Sequence, residues 1–550
     1  MKLLDNPFYI LKCMPESSRS TIHEQAEEKS FDIDENLCKK AENILINPKK
    51  RLEAEISWFP GLDIKTVTER VKEVFSDTRK YISDLIINKT KNYLAEANLL
   101  AFGLEQVKDT SDWSKDDLRL AASFLCSFCE KINVDDCITK IVASREKSKF
   151  PTNILEEDAS QYIDEQKSYY EKTLYEFFQK IDSDIAVEIL TKMVDESTDN
   201  GNNPSKWYLF ENLLSKYEKD LSGFIAEENA LIEKDIEILN GLVTSENNDY
   251  NDLLNQLHND LKNWKRVIYP IMVIKSSRGL NDENCEYLFY ALRKLMLIST
   301  NNHNNYHFSL RLTKISKSIF AELRSVRERL EEDDHILNNL VQKADDEARE
   351  NKKFMEFSCV FGRVYKTSVK TDEKAITIND KEVYKFDDID RIKWNTKKDN
   401  SILENESFYI EFTVKNRKIP ILLNIDSELV YSRIREILWR AVSSKLLNKY
   451  LKELSSGRKI ILGPITLFDY GIELVDKGFI FSTTQMFTWK DIEYVNLENG
   501  VFEVKGPENF NLSVNIDCEY NLYAIYALLT LFLKHGNGIR ISSLNGKDLF

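Results

Sequence analysis

The spacing of apolar residues changes once along this chain, near residue 353, and that change sets the fold class. From about residue 63 to 350, apolar side chains recur every three or four residues, as in Leu118, Ala121, Leu125 and Phe128. This spacing predicts amphipathic helices packed against each other. Beyond residue 353 the segments 354–369 and 408–423 are rich in aromatic and β-branched residues and partly alternate, which predicts half-buried strands. The sequence therefore predicts an α+β multidomain protein, with its helices first.

The chain divides into four predicted parts. Its 550 residues leave room for three or four domains of about 150 residues each. Residues 1–62 form a helical unit that ends in the Pro-Gly turn of Trp58-Phe-Pro-Gly61, and residues 63–350 form a long helical scaffold. The charged stretch 342–353 predicts an exposed helix end or linker, and two β-rich modules follow at 354–450 and 457–540. Loops are predicted at 196–204, 245–249 and 299–305.

The last third of the chain repeats itself. The step Phe386-Asp-Asp-Ile389 recurs as Trp489-Lys-Asp-Ile492, and Asn424-Ile-Asp-Ser-Glu428 recurs as Asn515-Ile-Asp-Cys-Glu519. Each second step leads into an apolar stripe with helical spacing. We therefore predict two copies of one module, each a small antiparallel sheet closed by a C-terminal amphipathic helix. Asp426 and Asp517 are the predicted N-caps of these helices.

This order of elements resembles the pleckstrin-homology-like (PH-like) fold in tandem, a bent β-sandwich or barrel plugged by a C-terminal helix. Members of that family that bind phosphoinositides carry clustered Lys and Arg between their first two strands. Here the first module has only the scattered Arg363, Lys366 and Lys370, and the segment 468–473 of the second has no basic residue. The resemblance thus implies docking of protein, or structural packing, rather than capture of a lipid headgroup.

The first 62 residues resemble a J-domain, the module with which DnaJ-type co-chaperones engage Hsp70. The first helix matches at Asn6-Pro-Phe-Tyr-Ile-Leu11, and an amphipathic second helix is expected to start near Ser17 to Ser20. A third helix runs from about Asp34 through Leu45, passes Asn47-Pro48 and resumes to Ile56. The segment Asn47-Pro-Lys-Lys-Arg51 stands in place of the family's Asp-Pro-x-x-Arg ending. The start and the Ile-Ser-Trp-x-Pro-Gly end are similar to a variant group of bacterial J-like proteins.

Two departures from the J-domain pattern bear on function. J-domains stimulate the Hsp70 ATPase through a His-Pro-Asp triplet, but here the joint Ser30-Phe-Asp-Ile-Asp34 has neither His nor Pro. The second helix, basic in J-domains, is acidic over 21–28, and His23 is expected on its surface. The resemblance therefore implies a J-like fold retained for docking, without the usual stimulation. The docking residues it implies are Pro7, Phe8, Asn47, Pro48, Lys49, Lys50, Arg51 and Trp58.

Patterns that would indicate catalysis or metal binding are weak. Cys126, Cys129 and Cys137 have a spacing compatible with zinc, but no fourth ligand is near. Cys126 and Cys129 also lie in an apolar stripe, so we predict that the cysteines are core residues. His303 and His307 are four residues apart in a predicted Asn-rich loop. The phosphate-binding, nucleophile-elbow and dinucleotide motifs do not occur. We expect no enzyme activity, no metal and no cofactor.

Charge and hydropathy narrow the expected partners. The net charge of −15 argues against general affinity for nucleic acid or anionic lipid. No apolar run is long enough to span a bilayer, and the start lacks the pattern of a secretory signal. Eight Cys in so long a chain predict free thiols rather than a disulfide framework. We therefore expect a cytoplasmic protein with no nucleic-acid partner, and these features disfavour a membrane partner.

The function expected from the resemblance is that of a non-enzymatic, co-chaperone-like adaptor for an Hsp70-family ATPase or client complex. Around Trp264 to Pro270 and Gly279 the sequence predicts two helices with a Pro-and-Gly joint, and a groove for a partner peptide is one interpretation of this scaffold. Two alternatives stay open. The chain could be a scaffold subunit of a bacterial stress or defence complex, or a peripheral membrane adaptor acting through its PH-like modules.

Overall fold

The fold is mixed α+β, as the change in periodicity predicts. In this computed structural model, the described residues are 1–87, 92–245, 249–363, 365–398, 406–415, 417, 419–463, 465–477, 482–498, 501–506, 511–515, 520–535 and 540–541. The chain forms two compact units, residues 1–341 and 342–550. Within the described part, no helix is both long and apolar enough to cross a membrane.

Up to residue 355 the regular elements of the chain are helices. They are α1 Pro7–Ile10, α2 Arg19–Lys29, α3 Glu35–Ile46, α4 Pro48–Ile56, α5 Ile64–Ser76, α6 Thr78–Ile87, α7 Tyr93–Gln106, α8 Lys115–Lys131, α9 Val134–Ser148, α10 Glu156–Phe178, α11 Ser183–Thr198, α12 Tyr208–Asp220, α13 Ser222–Thr244, α14 Asn251–Ser277, α15 Glu283–His303, α16 Tyr306–Phe320 and α17 Arg324–Met355. The last of them, α17, contains the whole charged stretch 342–353, which confirms its prediction as a helix end.

Local capping sets the boundaries of the first four helices. The side chains of Asn6, Ser18 and Asp34 each accept a hydrogen bond from a backbone N–H in the first turn of α1, α2 and α3. The side chain of Asn47 caps α4, whose first residue is Pro48, a position where proline loses no hydrogen bond. The predicted helix starts and the predicted passage through Asn47-Pro48 are confirmed, with a break into two helices at Asn47.

Residues 1–62 share a hydrophobic core with the helices that follow them. Phe8, Trp58, Phe102 and Phe177 belong to one buried cluster that reaches from Leu3 to Ile274. A second cluster joins α13 to α17 around the buried side chains of Trp264, Phe289 and Phe320. The N-terminal helices are therefore part of a larger helical unit, which suits a segment too small to bury much core by itself.

Two of the predicted loops begin later than predicted, and most of the third lies outside the described residues. α15 continues to His303 and α16 starts at Tyr306, so the loop predicted at 299–305 shrinks to Asn304 and Asn305. Asn304 ends α15 with a positive φ of 50°, and the side chain of Asn305 accepts a hydrogen bond from the N–H of Phe308. His303 and His307 thus lie on helices, contrary to the loop prediction. α11 likewise extends to Thr198, and residues 246–248 lie outside the described part of the chain.

The second unit consists of antiparallel strands and three further helices. They are β1 Phe357–Phe361, β2 Thr367–Thr371, β3 Ala375–Ile378, β4 Glu382–Lys385, β5 Ile389–Lys398, β6 Glu406–Val414, β7 Ile421–Ile425, α18 Glu428–Leu438, α19 Ser444–Ser455, β8 Ile460–Leu462, β9 Ile465–Phe468, β10 Gly471–Lys477, β11 Ser482–Thr488, β12 Tyr494–Glu498, β13 Val501–Lys505, β14 Asn511–Asn515 and α20 Leu522–His535. A π-helical turn, Trp439–Ser443, joins α18 to α19. The predicted strand start at Phe354 is wrong, because α17 continues to Met355 and β1 begins at Phe357.

The internal repeat has a clear structural counterpart. In each copy four strands form one sheet, in the orders β1-β2-β3-β4 and β11-β10-β9-β8, and three strands form another, β5-β6-β7 and β12-β13-β14. The prediction of a single sheet per copy is therefore wrong. The repeated steps Phe386–Asp388 and Trp489–Asp491 are 3₁₀ turns between the two sheets, because each packs an aromatic side chain into the core at the corner.

The helix that closes the first copy starts one residue later than predicted. The side chain of Ser427 caps α18 by accepting from the N–H of Val430, whereas Asp426 accepts from the N–H of Gly362 at 3.2 Å. Asp426 is therefore not the N-cap; its carboxylate ties the end of β7 to the turn after β1. Asp517, the predicted cap in the second copy, lies outside the described residues.

Candidate protein-binding groove

A cavity of about 1110 Å³ opens on the first unit between α10, α11, α12, α13 and α14. Its apolar lining consists of Phe178, Ile181, Val187, Leu190, Leu213, Phe224, Leu231, Ile238, Leu253 and Val267. At this volume the groove lies just above the range for small-molecule pockets, about 300–1,000 Å³. Its size and apolar lining fit a larger apolar element, such as the face of a helix.

Helix α13 carries two apolar stripes where a surface helix normally has one. Ile225, Ile232 and Leu239 point into the core of the first unit. The residue before each of these, namely Phe224, Leu231 and Ile238, lines the groove instead. Leu231 is 56 % exposed and Ile238 is 45 % exposed. A second stripe of large apolar side chains left in contact with water is typical of an interaction surface.

Carboxylates outnumber cationic groups around the groove. Its acidic residues are Asp184, Asp220, Glu228, Asp235 and Asp260, and its basic residues are Lys234 and Arg266. Arg266 is already engaged, because its guanidinium lies 2.8 Å from the carboxylate of Asp184. The groove therefore presents a net negative rim beside its apolar floor.

Asp235 and Asp260 form the most electrostatically strained part of this rim. Burial raises the pKa of Asp235, and the neighbouring charge of Asp260 raises it further. Asp235 accepts a 3.4 Å hydrogen bond from the Gln256 amide. Among the described residues, no Lys or Arg nitrogen lies within 4.0 Å of either carboxylate, which is the distance limit for an ion pair. A cation placed here would relieve the repulsion between them.

The residues predicted for docking do not form a surface, and four of them are core residues. Phe8 and Arg51 are completely buried, Trp58 is 4 % exposed, and Pro7 is buried as well. These side chains cannot reach a partner in this conformation because they pack between α1, α4 and the helices that follow. This corrects the expectation that they present a docking face.

The other four predicted docking residues have separate roles. The Asn47 side chain accepts hydrogen bonds from the N–H groups of Lys49 and Lys50, which caps α4. Pro48 is half-buried, and the ammonium group of Lys49 lies 3.0 Å from the carboxylate of Asp158. The Lys50 side chain is exposed. Of the eight, only Asn47, Lys49 and Lys50 are open to solvent.

Arg51 belongs to a buried ionic network rather than to a basic patch. Its Nε donates to Oε1 of Glu55 at 2.8 Å, and Nη2 of Arg145 donates to Oε2 of the same carboxylate at 2.7 Å. The remaining guanidinium N–H groups donate to the backbone carbonyls of Leu45, Pro15, Pro48 and Pro151. The network joins α4 to α9, so Arg51 stabilises the fold.

The predicted helix joint at Pro270 is also corrected. α14 runs through Pro270 to Ser277, and the chain turns at Gly279, whose φ of 72° favours glycine. From the segment expected to offer a groove, only Arg266 and Val267 line the cavity, and Trp264 is buried in the core. The stripe on α13 was not predicted, although the seven-residue spacing of Phe224, Leu231 and Ile238 was a readable signal.

The three cysteines that suggested zinc are core residues, as predicted. Cys126 and Cys129 are buried in α8, and Cys137 is buried in α9. Across the described ranges, no group of three or more His, Cys, Asp or Glu residues is placed to hold a metal ion. Burial raises the pKa of Cys129 to about 12 and that of Cys137 to about 11.

We expect these thiols to resist alkylation in the folded protein. At mildly alkaline pH a thiol whose pKa is raised stays protonated, and the thiolate is the reactive form. Iodoacetamide followed by peptide mass spectrometry should therefore modify Cys126, Cys129 and Cys137 only after urea is added. Cys359, which is partly exposed, serves as the internal comparison. Equal labelling of all four in native buffer would contradict this assignment.

None of the protein-family models, curated proteins or solved structures compared with the chain matches it significantly. Its function therefore has to be inferred from its own residues. The groove between α10 and α14 combines an unpaired apolar stripe with an unbalanced acidic rim. Leu231 and Ile238 are exposed on this stripe, and the rim carries more carboxylates than cations, which makes the groove the strongest candidate site.

Proposed function

We propose that this chain is a non-enzymatic adaptor that binds a cationic amphipathic helix of a partner protein in the groove between α10 and α14. The observation that carries the proposal is the second apolar stripe of α13, Phe224, Leu231 and Ile238, which lines the groove. Leu231 and Ile238 are exposed there, and Phe224 also packs against the core. Helix-in-groove docking buries such a stripe against the apolar face of the incoming helix.

The length of the stripe suits a short helix. From Phe224 to Ile238 it extends about 21 Å, at a rise of about 1.5 Å per residue, so a partner helix of about fourteen residues would cover it. The carboxylates of Asp235 and Asp260 lie beside this path, and Lys or Arg side chains on the flank of the partner helix would neutralise them. Charge therefore selects a basic helix over an acidic one.

The rest of the architecture is compatible with an adaptor. The packing of α2 against α3 supports a J-like fold, but the joint 30–34 has no His-Pro-Asp triplet and α2 is acidic. A role that docks an Hsp70-family partner or client without stimulating ATP hydrolysis remains part of the proposal. The repeated order of four strands, a turn, three strands and a helix supports PH-like modules. A scaffold role in a multiprotein complex is favoured because four of the eight docking residues expected in the J-like part are buried.

A synthetic amphipathic peptide, with leucine on one face and lysine on the other, tests the groove in the full chain. We expect Leu231→Gln and Ile238→Gln each to weaken binding about tenfold or more, because burying a leucine-sized side chain contributes about 1.5–3 kcal/mol. Ile336→Gln is the matched control, since Ile336 is 55 % exposed on α17 and does not line the groove. Fluorescence anisotropy of the labelled peptide gives the dissociation constants.

Charge is tested separately with the same peptide. The double variant Asp235→Asn, Asp260→Asn should weaken the lysine peptide, and added salt should reduce the difference between variant and parent. A peptide with glutamate in place of lysine should bind the parent protein poorly. If all the variants bind the lysine peptide as the parent does, the groove is not the binding site.

A further inference from the structure

A second, smaller cleft lies at the N-terminal end of the first unit, between α1 and α5. Its volume is about 430 Å³, within the range of small-molecule sites. Its lining consists of Phe8, Tyr9, Lys12, Cys13, Met14, Trp58, Val67, Thr68, Val71, Lys72 and Phe75. The cleft is separate from the groove described above, with which it shares no lining residue.

The charged residues that line the cleft are both lysines. They are Lys12 and Lys72, and the lining contains no carboxylate. Among the residues that the structure describes, neither ammonium group lies within 4.0 Å of a carboxylate. The Lys12 ammonium group lies instead 3.8 Å from the centre of the Tyr9 ring. Positive charge at an apolar cleft without a matching anion favours an anionic ligand.

The backbone and surroundings of Lys12 add to this imbalance. Lys12 has a φ of 52°, the left-handed region that few residues other than glycine adopt. Burial lowers the pKa of Lys12, and the nearby charge of Lys29 lowers it further. The strained backbone holds a cationic side chain beside an apolar cleft, where a carboxylate would lower its energy.

A buried donor without an acceptor is the second, independent observation. The indole of Trp58 lines the cleft and is 4 % exposed. Its Nε1–H group is buried and has no hydrogen-bond acceptor among the described residues. Leaving a buried N–H unpaired costs about 1–3 kcal/mol, so the indole that lines the cleft carries an unmet hydrogen-bond donor.

From these features we infer that the cleft between α1 and α5 binds a small carboxylate with an apolar body, of the fatty-acid class. The apolar body lies against Phe8, Val67 and Val71. The lysines attract the carboxylate. This inference does not depend on the proposed function of the groove, since the two cavities have different linings.

Isothermal titration calorimetry of the full chain with decanoate tests the inference. We expect saturable binding of one decanoate per chain. The neutral analogue decanol should bind at least about tenfold more weakly, because it lacks the charge that the lysines recognise. Lys12→Gln should weaken decanoate about tenfold without changing the affinity for decanol. Lys65→Gln is the matched control, since Lys65 lies on α5, is 82 % exposed and does not line the cleft.

A variant that fills the cleft checks the location. Val71→Trp should abolish binding of both ligands, and circular dichroism reports whether this variant keeps its helices. Lys12 is an exposed side chain, so Lys12→Gln keeps the test decisive even if Val71→Trp fails to fold. Absence of saturable decanoate binding, or equal affinity of decanoate and decanol in the parent, would overturn the inference.

Discussion

Replacement of Glu55 by glutamine is expected to lower the free energy of unfolding by about 3–5 kcal/mol, because breaking a buried ion pair leaves its partners charged and unpaired. The carboxylate of Glu55 is 1 % exposed and lies between two guanidinium groups, those of Arg51 at 0 % and Arg145 at 2 % exposure. Glutamine keeps the size of the side chain but removes the only negative charge that faces both arginines among the described residues. Since natural domains are stable by about 5–15 kcal/mol, this loss is a large share of the total.

Urea unfolding followed by circular dichroism measures this loss. Glu53→Gln is the matched control, because Glu53 lies on the same helix, is only partly buried and forms no ion pair within the described chain; we expect a change within about 0.5 kcal/mol. The triple replacement of Arg51, Glu55 and Arg145 by methionine should recover much of the stability, since apolar residues of similar volume avoid the unpaired charges. A loss below about 1 kcal/mol for Glu55→Gln would show that water or relaxation compensates the arginines.

The sequence predicted those features of the fold that depend on neighbouring residues. The change from helical to strand periodicity near residue 353 placed the boundary between helices and sheets within a few residues. The starts of α2 near Ser17 to Ser20 and of α3 near Asp34 were predicted because side chains of these types before a helix can satisfy first-turn N–H groups. The paired steps at 386–389 and 489–492 led to the repeat because each forms the same local turn.

Other features depend on residues far apart in the sequence, and these were missed. Arg51 lies in a run of three basic residues, which predicts a surface patch. Its carboxylate partner is Glu55, which also pairs with Arg145, 90 residues further along the chain. The capping side chain of α18 is Ser427 because Asp426 is engaged by Gly362, 64 residues away. The groove is formed by helices from α10 to α14, so its lining cannot be read from any one of them.

The two repeated modules form one unit, which their sequence similarity alone did not indicate. One buried cluster includes Ile392 and Trp394 of the first copy together with Ile525 and Leu528 of the second. α19 packs against α20, so the helix that ends the second copy also rests on the first. Each copy therefore buries part of its apolar surface in a cluster that it shares with the other.

Asn521 is the polar link between the two modules. Its side-chain oxygen accepts from the N–H of Ile392 at 2.8 Å, and its amide group donates to the carbonyl of Asp390 and to the hydroxyl of Tyr450. Its own backbone N–H donates to the carbonyl of Ile392 at 2.8 Å. Asn521 is 6 % exposed and has a φ of 63°, a conformation that asparagine tolerates better than most residues.

Replacement of Asn521 by leucine should therefore destabilise the second unit by about 4 kcal/mol, because it leaves buried polar groups unpaired and strains the backbone at a positive φ. Tyr450→Phe removes only one of the three side-chain bonds and should cost about 1 kcal/mol. Asn424→Leu, at an exposed position of β7, is the control and should change stability by less than about 0.5 kcal/mol. Hydrogen exchange with mass spectrometry of the full chain separates the units, since Asn521→Leu should deprotect β5 and α20 and leave α7 and α8 unchanged. If β5 and α20 keep their protection, the apolar core alone holds the modules together, and the link through Asn521 contributes little.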